Sequence, residues 1–494
     1  FALLLYGSNL ALVSLFLRQW SAGERLAFPL ITPAVETARE APPGRTLNAF
    51  LRDPLMLAGA AVPCAVWGIN GLKSYVPGLP EIPTSWSTYG WFADRPWSEF
   101  NLEYANVYFT MVGMTFLVTT QGSFSLWFIY ALFRLSFVWV ASLGAGATGY
   151  WGSWHWRVAT FDVTGGFLVV GAFLVWTARP ALAAWARRAA AGTRDAEQDP
   201  IPPRPALALI LAGLAGMTGW SVLAGSSWWI ALLGVVLFLV MLLVLTRIIA
   251  EVGLIFVQCG MIPYDVITGL LPASWLNGFT MNSLMMHKAV FTHDHREVFM
   301  PYAMDGARAA ERFRLPVGRV LGVFAATAVL AMAVSAYARV ATGYKYGAVN
   351  TDIWANEMAP NWFMGGVAKL RTNPPPFELV RVGGRDVFPV NGLHLLAGAG
   401  VAGALLALRA RFAWWPLHPV GLIMCAPYTM SKFWFSIFLG WLLKTLVMRF
   451  GGARGYRRLL PLFLGFVLGE SVIAALWMVV GLVTGTPSLA ILPS

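Results

Sequence analysis

The chain has 494 residues, of which 58% are hydrophobic and only 12% charged, and its mean hydropathy is +0.64. So little charge cannot cover a soluble fold of this size, which excludes a water-soluble globular protein and makes lipid the main solvent. The formal net charge of +12 sits in separate basic loops, the pattern of a face near anionic lipid and not of a nucleic-acid binder.

The chain begins with Phe1 inside an apolar run, and the expectation is that an N-terminal part of the gene product precedes it. A first basic loop carries Arg18, Arg25, Arg39, Arg45 and Arg52. Apolar windows then follow Asp53, Glu103, Arg134 and Asp162. A second basic loop carries Arg179, Arg187, Arg188, Arg194 and Arg204. From there to Arg247 no charge intervenes, enough for two spans of roughly 20 residues, with a turn at Gly225, Ser226 and Ser227. Further windows follow Arg319, Asp386, Arg411 and Glu470. The expectation is an all-α, polytopic transmembrane bundle of about eleven or twelve spans, because an open sheet cannot satisfy its backbone in lipid.

Alternate threading puts both basic loops, Arg308, Arg312 and Arg314, and the turn with Lys444, Arg449, Arg454, Arg457 and Arg458 on one side, read as cytoplasmic. The opposite side receives the Pro- and Trp-rich stretch 74–100, the aromatic stretch 149–156 and the long loop 341–390. Within that loop, residues 372–390 predict a short hairpin with a Gly-Gly turn. The polar, Pro-terminated stretch 191–204 reads as a linker between an N-terminal bundle, 1–190, and a C-terminal bundle, 205–494.

Polar residues at membrane depth are the candidate site. Arg247, Glu251 and Gln258 fall at i, i+4 and i+11, one stripe if a single helix carries them. Gly260, Pro263, Gly269, Pro272 and Gly278 then break the chain repeatedly, so 258–288 reads as re-entrant. Such breaks are tolerated where backbone lines a cavity. Asp265, Asn277, Asn282 and Ser283 would supply its polar contacts. The plainer reading is an interfacial hairpin with Arg247 and Glu251 as a structural pair.

Downstream, Pro416, Pro419 and Pro427 make 417–428 a half-helix, and Lys432 either snorkels or pairs inside the bundle. Glu470 lies near the middle of an uncharged span beside Gly465 and Gly469, a small-xxx-small surface. It reads either as a proton-coupling carboxylate or as half of a salt bridge to Lys432 or Lys444. Arg134 and Asp162 read as pairing or orienting charges. His287, His293 and His295 lack the spacing of a helical zinc motif and read as a solvated loop, at most a pH gate near the histidine pKa of about 6.5. Cys64, Cys259 and Cys425 read as small buried residues. No nucleotide loop, serine elbow or Cys-x-x-Cys occurs, so neither enzyme chemistry nor a metal or other cofactor is expected.

The segment LRQWSAGERLAFPLITPAVE, 17–36, resembles the stretch after an early span in the oligopeptide transporter superfamily. Residues 418–471, with a proline-bounded half-helix, a basic turn and a final helix reading GFVLGE, resemble the C-terminal end of its prokaryotic members. The likeness is nearest to uncharacterised bacterial membrane proteins related to that superfamily. It implies roughly sixteen spans in two inverted halves, proton-driven import of small peptides or metal chelates, and a bacterial inner membrane. It aligns Glu470 with the acid of the final helix, and Phe28 and Pro29 with a Phe-Pro element. The Asn-Pro-Gly element of the eukaryotic peptide transporters is absent; Asn277-Gly278 and Asn373-Pro374 are fragments of it, so peptide specificity does not follow. The expected function is a proton-coupled secondary transporter of a small solute, alone or as a homo-oligomer. The alternative is a non-transporting membrane subunit that scaffolds a complex.

Overall fold

A computed structural model describes residues 1–76, 78–143, 153–195, 198–255, 257–292, 295, 298–351, 353–372, 379–382, 385–485 and 491. In chain order its helices are α1 (Ala2–Arg18), α2 (Ile31–Ala38), α3 (Pro54–Leu72), α4 (Phe109–Leu117), α5 (Thr120–Ser142), α6 (Ser153–Arg157), α7 (Val163–Ala191), α8 (Pro203–Leu223) and α9 (Trp228–Val252). There follow α10 (Pro263–Leu270), α11 (Gly278–His287), α12 (Phe299–Arg312), α13 (Val317–Tyr346), α14 (Ala359–Thr372), α15 (Val390–Arg411), α16 (Pro419–Ile423) and α17 (Tyr428–Thr484). Strands β1 (Ser85–Ser87) and β2 (Tyr104–Asn106) pair antiparallel, as do β3 (Leu379–Val382) and β4 (Arg385–Pro389). The second pair is the hairpin expected in 372–390; its Gly-Gly turn lies outside the described residues, as do residues 149–152 of the aromatic stretch.

The chain is a multi-pass all-α membrane bundle. Among the described residues, nine helices are long and apolar enough to cross a membrane. About eleven or twelve windows were expected, and the difference has a local cause. The windows after Glu103 and Arg134 merge, because α5 runs unbroken through Arg134, and α4 before it has only nine residues. Helices α10, α11 and α16 have eight, ten and five residues, too few for a span of roughly 20. In contrast, α17 runs for 57 residues and bends at Gly452 (φ 55°, ψ −156°) into two arms.

The helices form two compact units, each assembled from three stretches of chain. Unit 1 comprises 1–26, 160–247 and 259–403; unit 2 comprises 27–159, 248–258 and 404–494. Each draws on sequence from both sides of 191–204, and that loop lies within unit 1, where Arg188 and Asp199 form an ion pair at 2.7 Å.

Unit 2 is built around α17. A Cβ on Gly465 would lie 2.2 Å from the Met56 carbonyl oxygen, and one on Gly469 2.4 Å from that of Ala60. The two glycines therefore let α17 lie backbone to backbone against α3, as small-xxx-small surfaces do. Phe116 of α4 stacks on Phe463 with ring centroids 3.8 Å apart. In unit 1, Gly213 of α8 accommodates Ser8 of α1, and Gly165 of α7 accommodates the Leu395 carbonyl of α15. Only 6% of the apolar window of α13 is buried within the chain, so that helix presents most of its apolar surface outward.

Two outcomes follow. Gly465→Ala should lower the thermal midpoint in detergent by the equivalent of about 1–3 kcal/mol, the cost of overpacking. Gly451→Ala, in helical backbone with nothing within 4 Å of the new Cβ, should leave it unchanged or raise it. A second pair of measurements concerns α12, where Asp305 is 9% exposed and its Oδ1 has no hydrogen-bond partner. Burial pushes its pKa up from the ordinary carboxylate value of 3.8 to about 7. The fold therefore holds a proton there that the unfolded chain releases, and stability should fall as pH rises from about 4 to 7. Asp305→Asn should flatten that slope in thermal melts across the range and be the more stable variant at pH 8.

Candidate functional site

In unit 2 several helix ends meet. Helix α9 ends at Val252 because Gly253 takes a left-handed conformation, φ 63°, where glycine carries no steric penalty. Gly253 rests on Pro29; a Cβ there would approach the proline ring to 2.6 Å. The preceding residue, Phe28, is fully buried and also left-handed, φ 47°. Its N–H donates to the Ala250 carbonyl at 2.9 Å, satisfying one of the carbonyls that a helix end leaves open. The Phe-Pro element is thus a cap for α9. Beyond Gly253 the chain is no longer helical, and the Gln258 N–H donates to Thr429 Oγ1 at 2.9 Å.

Glu251, in the last turn of α9, faces His418. His418 Nε2 lies 2.9 Å from Glu251 Oε1, and Arg409 Nη2 stands 3.9 Å from the same oxygen. His418 is also the N-cap of α16, its Nδ1 accepting from the Val420 N–H at 3.0 Å. An imidazole that accepts at Nδ1 must carry its proton on Nε2, so the neutral ring donates to Glu251 and the tautomer is fixed. Ser125 of α5 completes the group: its Oγ accepts from the His418 N–H at 2.7 Å and donates to the Pro416 carbonyl. Gly421 lets α16 close on the Ser125 carbonyl, which a Cβ would meet at 2.4 Å. Glu251 and His418 keep 20% and 13% of their side-chain surface uncovered by protein.

The expected stripe of Arg247, Glu251 and Gln258 does not form, because the helix that would carry it stops at Val252. Nor is Arg247 paired with Glu251. It bonds Glu24 in unit 1, with its guanidinium 5.7 Å from the centre of the Trp20 ring. Asp265 pairs with Lys288 at 2.7 Å, and Asn277 caps α11 through the Thr280 N–H. Asn282 is half-buried on α11, and the neighbouring Ser283 Oγ is buried without a partner. In the histidine stretch, His287 lies under Phe1, ring centroids 4.4 Å apart. Burial pushes its pKa down to about 4, below the range a gate at neutral pH would use. His295 is buried with Nε2 3.5 Å from Cys259 Sγ; burial pushes that thiol up to about 12, which disfavours the nucleophilic thiolate. His293 lies outside the described residues. Among those described, no three His, Cys, Asp or Glu side chains converge as metal ligands.

Glu470 is 1% exposed and pairs with neither lysine. Its carboxylate accepts from Trp67 Nε1 at 2.8 Å and from the N–H groups of Phe109 and Thr110 at 3.2 and 2.6 Å. Those two amides open α4. At the other end of the same helix, Lys444 Nζ donates to the carbonyl of Val118, the C-cap. Both residues come from α17, one from each arm. They place an anion at the positive end of α4 and a cation at its negative end, as the helix dipole requires. Lys432 packs its ammonium between the rings of Tyr104 and Tyr428, 4.9 and 5.0 Å from their centres. Arg134 pairs with Glu103 at 3.6 Å and bonds the Asn101 carbonyl; His394 Nδ1 lies 3.2 Å from Asp162 Oδ1.

The sequence signal for His418 was the His-Pro dipeptide at a helix start, a capping pattern that says nothing of an acid 167 residues away. Glu470→Gln should lower the thermal midpoint by the equivalent of about 1–3 kcal/mol, because an amide cannot accept all three bonds and must turn a donor toward another donor. Lys444→Met should do the same at the opposite end of α4.

A model for a family of unknown function, DUF6785, matches residues 1–493. No curated protein matches the chain.

Proposed function

We propose that this chain, which belongs to that family of unknown function, is a secondary transporter of a small solute, with His418 and Glu251 as its proton-handling pair. The observation that carries the reading is the position of that pair, exposed in part and hydrogen-bonded at the start of one broken helix and the end of another. Proton uptake there has a structural consequence. An imidazolium cannot accept from Val420, so a proton taken at Nδ1 removes the cap of α16, worth about 1 kcal/mol. A proton taken by Glu251 weakens its bond to His418 instead. Either step makes the seating of α16 on α5 depend on protonation, which is what proton coupling needs from a bistable element.

Glu470, the acid that the oligopeptide-transporter resemblance singles out, is the weaker choice. Its oxygens are committed to three donors, so taking up a proton would cost the α4 cap. The solute stays at the level of class, and the membrane is read as a bacterial inner membrane with the basic loops cytoplasmic, following the charge asymmetry.

The test is a proteoliposome assay under an imposed pH gradient, with internal pH followed by a trapped dye while dipeptides, metal chelates and organic acids are supplied in turn. At least one solute class should accelerate acidification. His418→Asn, which keeps a capping side chain but does not titrate, and Glu251→Gln should each reduce that rate at least about tenfold while the thermal midpoint stays near wild type. Wild-type rates in both variants would reject the pair. No solute-dependent proton movement, together with a partner that co-purifies at fixed stoichiometry, would favour the scaffolding subunit.

A further inference from the structure

Three stretches far apart in sequence enclose an open cleft of about 1010 Å³ in unit 1: the end of α1, the α7–α8 loop, and the turn from α12 into α13. Its charged lining is Arg18, Arg194, Arg314 and Arg319 against one acid, Glu311. That acid is already engaged, by Arg308 at 2.7 Å and by Arg18 at 3.7 Å. Arg194 is steadied by the carbonyls of Asp199 and Pro200, which leaves its charge uncompensated by them. Arg314 and Arg319 are exposed and form no ion pair among the described residues.

The backbone gathers these charges. Arg314 is left-handed, φ 57°, and closes α12 with its own N–H on the Glu311 carbonyl and that of Leu315 on Ala310. The chain therefore turns directly into α13. Gly318, in the first turn of α13, lets the Pro200 carbonyl come so close that a Cβ would stand 2.6 Å from it. The α7–α8 loop thus closes on the start of a 30-residue helix, whose N-terminus adds the positive end of a macrodipole to the lining. Basic loops at a membrane face ordinarily spread their charges over open surface, where water screens them. Here four guanidinium groups share one concavity with a single acid, Glu311, so the lining keeps an excess of positive charge that an anion would offset.

We propose that this cleft binds the phosphate group of an anionic ligand. Guanidinium groups bind phosphate oxygens bidentately and shed water more readily than ammonium groups, and a headgroup of the anionic leaflet or a free phosphate offers the same chemistry.

Purified, delipidated chain in phosphate-free detergent provides the test. Phosphatidylglycerol or phosphatidylcholine is added as mixed micelles, and retained lipid is counted by native mass spectrometry alongside the thermal midpoint. Phosphatidylglycerol should be retained at least about tenfold better than phosphatidylcholine and should raise the midpoint. Arg314→Gln with Arg319→Gln should abolish the difference, and Arg314→Lys with Arg319→Lys should keep most of it. Both side chains are exposed, so neither pair disturbs the core, and unliganded melts will show it. Inorganic phosphate at millimolar concentration gives the second arm. If it raises the midpoint and displaces the lipid, the source is free phosphate; if it does neither while the lipid binds, the source is the headgroup. Equal retention of the two lipids without a response to phosphate, or wild-type binding by the glutamine pair, would overturn the proposal.

Discussion

In lipid no water is available to a helix end, so every interruption of a helix must be matched by a partner from elsewhere in the chain. This protein interrupts its helices often, and its polar residues are spent chiefly on those interruptions. Glu470 and Ser436 receive the opening amides of α4, and Lys444 its last carbonyl. Thr119, Asn277 and His418 cap α5, α11 and α16, and Phe28 closes α9 with its backbone. Removing any one leaves a desolvated amide or carbonyl, which costs more in hydrocarbon than at a wet surface. Ser436, Lys444 and Glu470, all buried, stand where the backbone of α4 would otherwise be unpaired.

The same constraint separates what the sequence disclosed from what it concealed. Hydropathy alone sufficed for the membrane class and for the long spans, because a run such as 228–252 has no other stable home. The glycine pair 465 and 469 announced a close helix contact, which α3 supplies. Partner choice was hidden. Glu470 looked like an isolated acid in search of a cation, since a one-dimensional pattern cannot show that a helix N-terminus would arrive beside it. Arg247 and Glu251 sat one turn apart and suggested each other, yet each found a closer partner more than 150 residues away. The stripe to Gln258 failed on one torsion, the positive φ of Gly253, which spacing does not reveal. His418 stands alone in the sequence, apart from the crowded histidines of 287–295, and nothing in its spacing points to Glu251, 167 residues away.

Three kinds of charged site emerge, and they differ in how closely the protein encloses them. At Glu470 the donors are fixed backbone and indole groups in a site closed to solvent, the setting of a permanent structural anion. At Glu251 and His418 part of each side chain is left uncovered by protein, and the cap on α16 depends on which ring nitrogen holds the proton. A group able to exchange protons and a half-helix able to respond are joined there through one imidazole. The arginine cleft of unit 1 differs again, because it gathers four arginines around a single acid, Glu311.

The capping of α4 also makes that helix a ruler. Nine residues at 1.5 Å each set about 14 Å between its ends, and Glu470 and Lys444 reach those ends from arms of α17 that diverge at Gly452. The spread between the arms is thereby tied to the length of α4. Lengthening it by one residue would turn its far end by about 100° and carry Val118 away from Lys444. The length of this short helix, the bend at Gly452 and the two charged positions form one geometric unit, and a change in any of them must be answered by a change in the others.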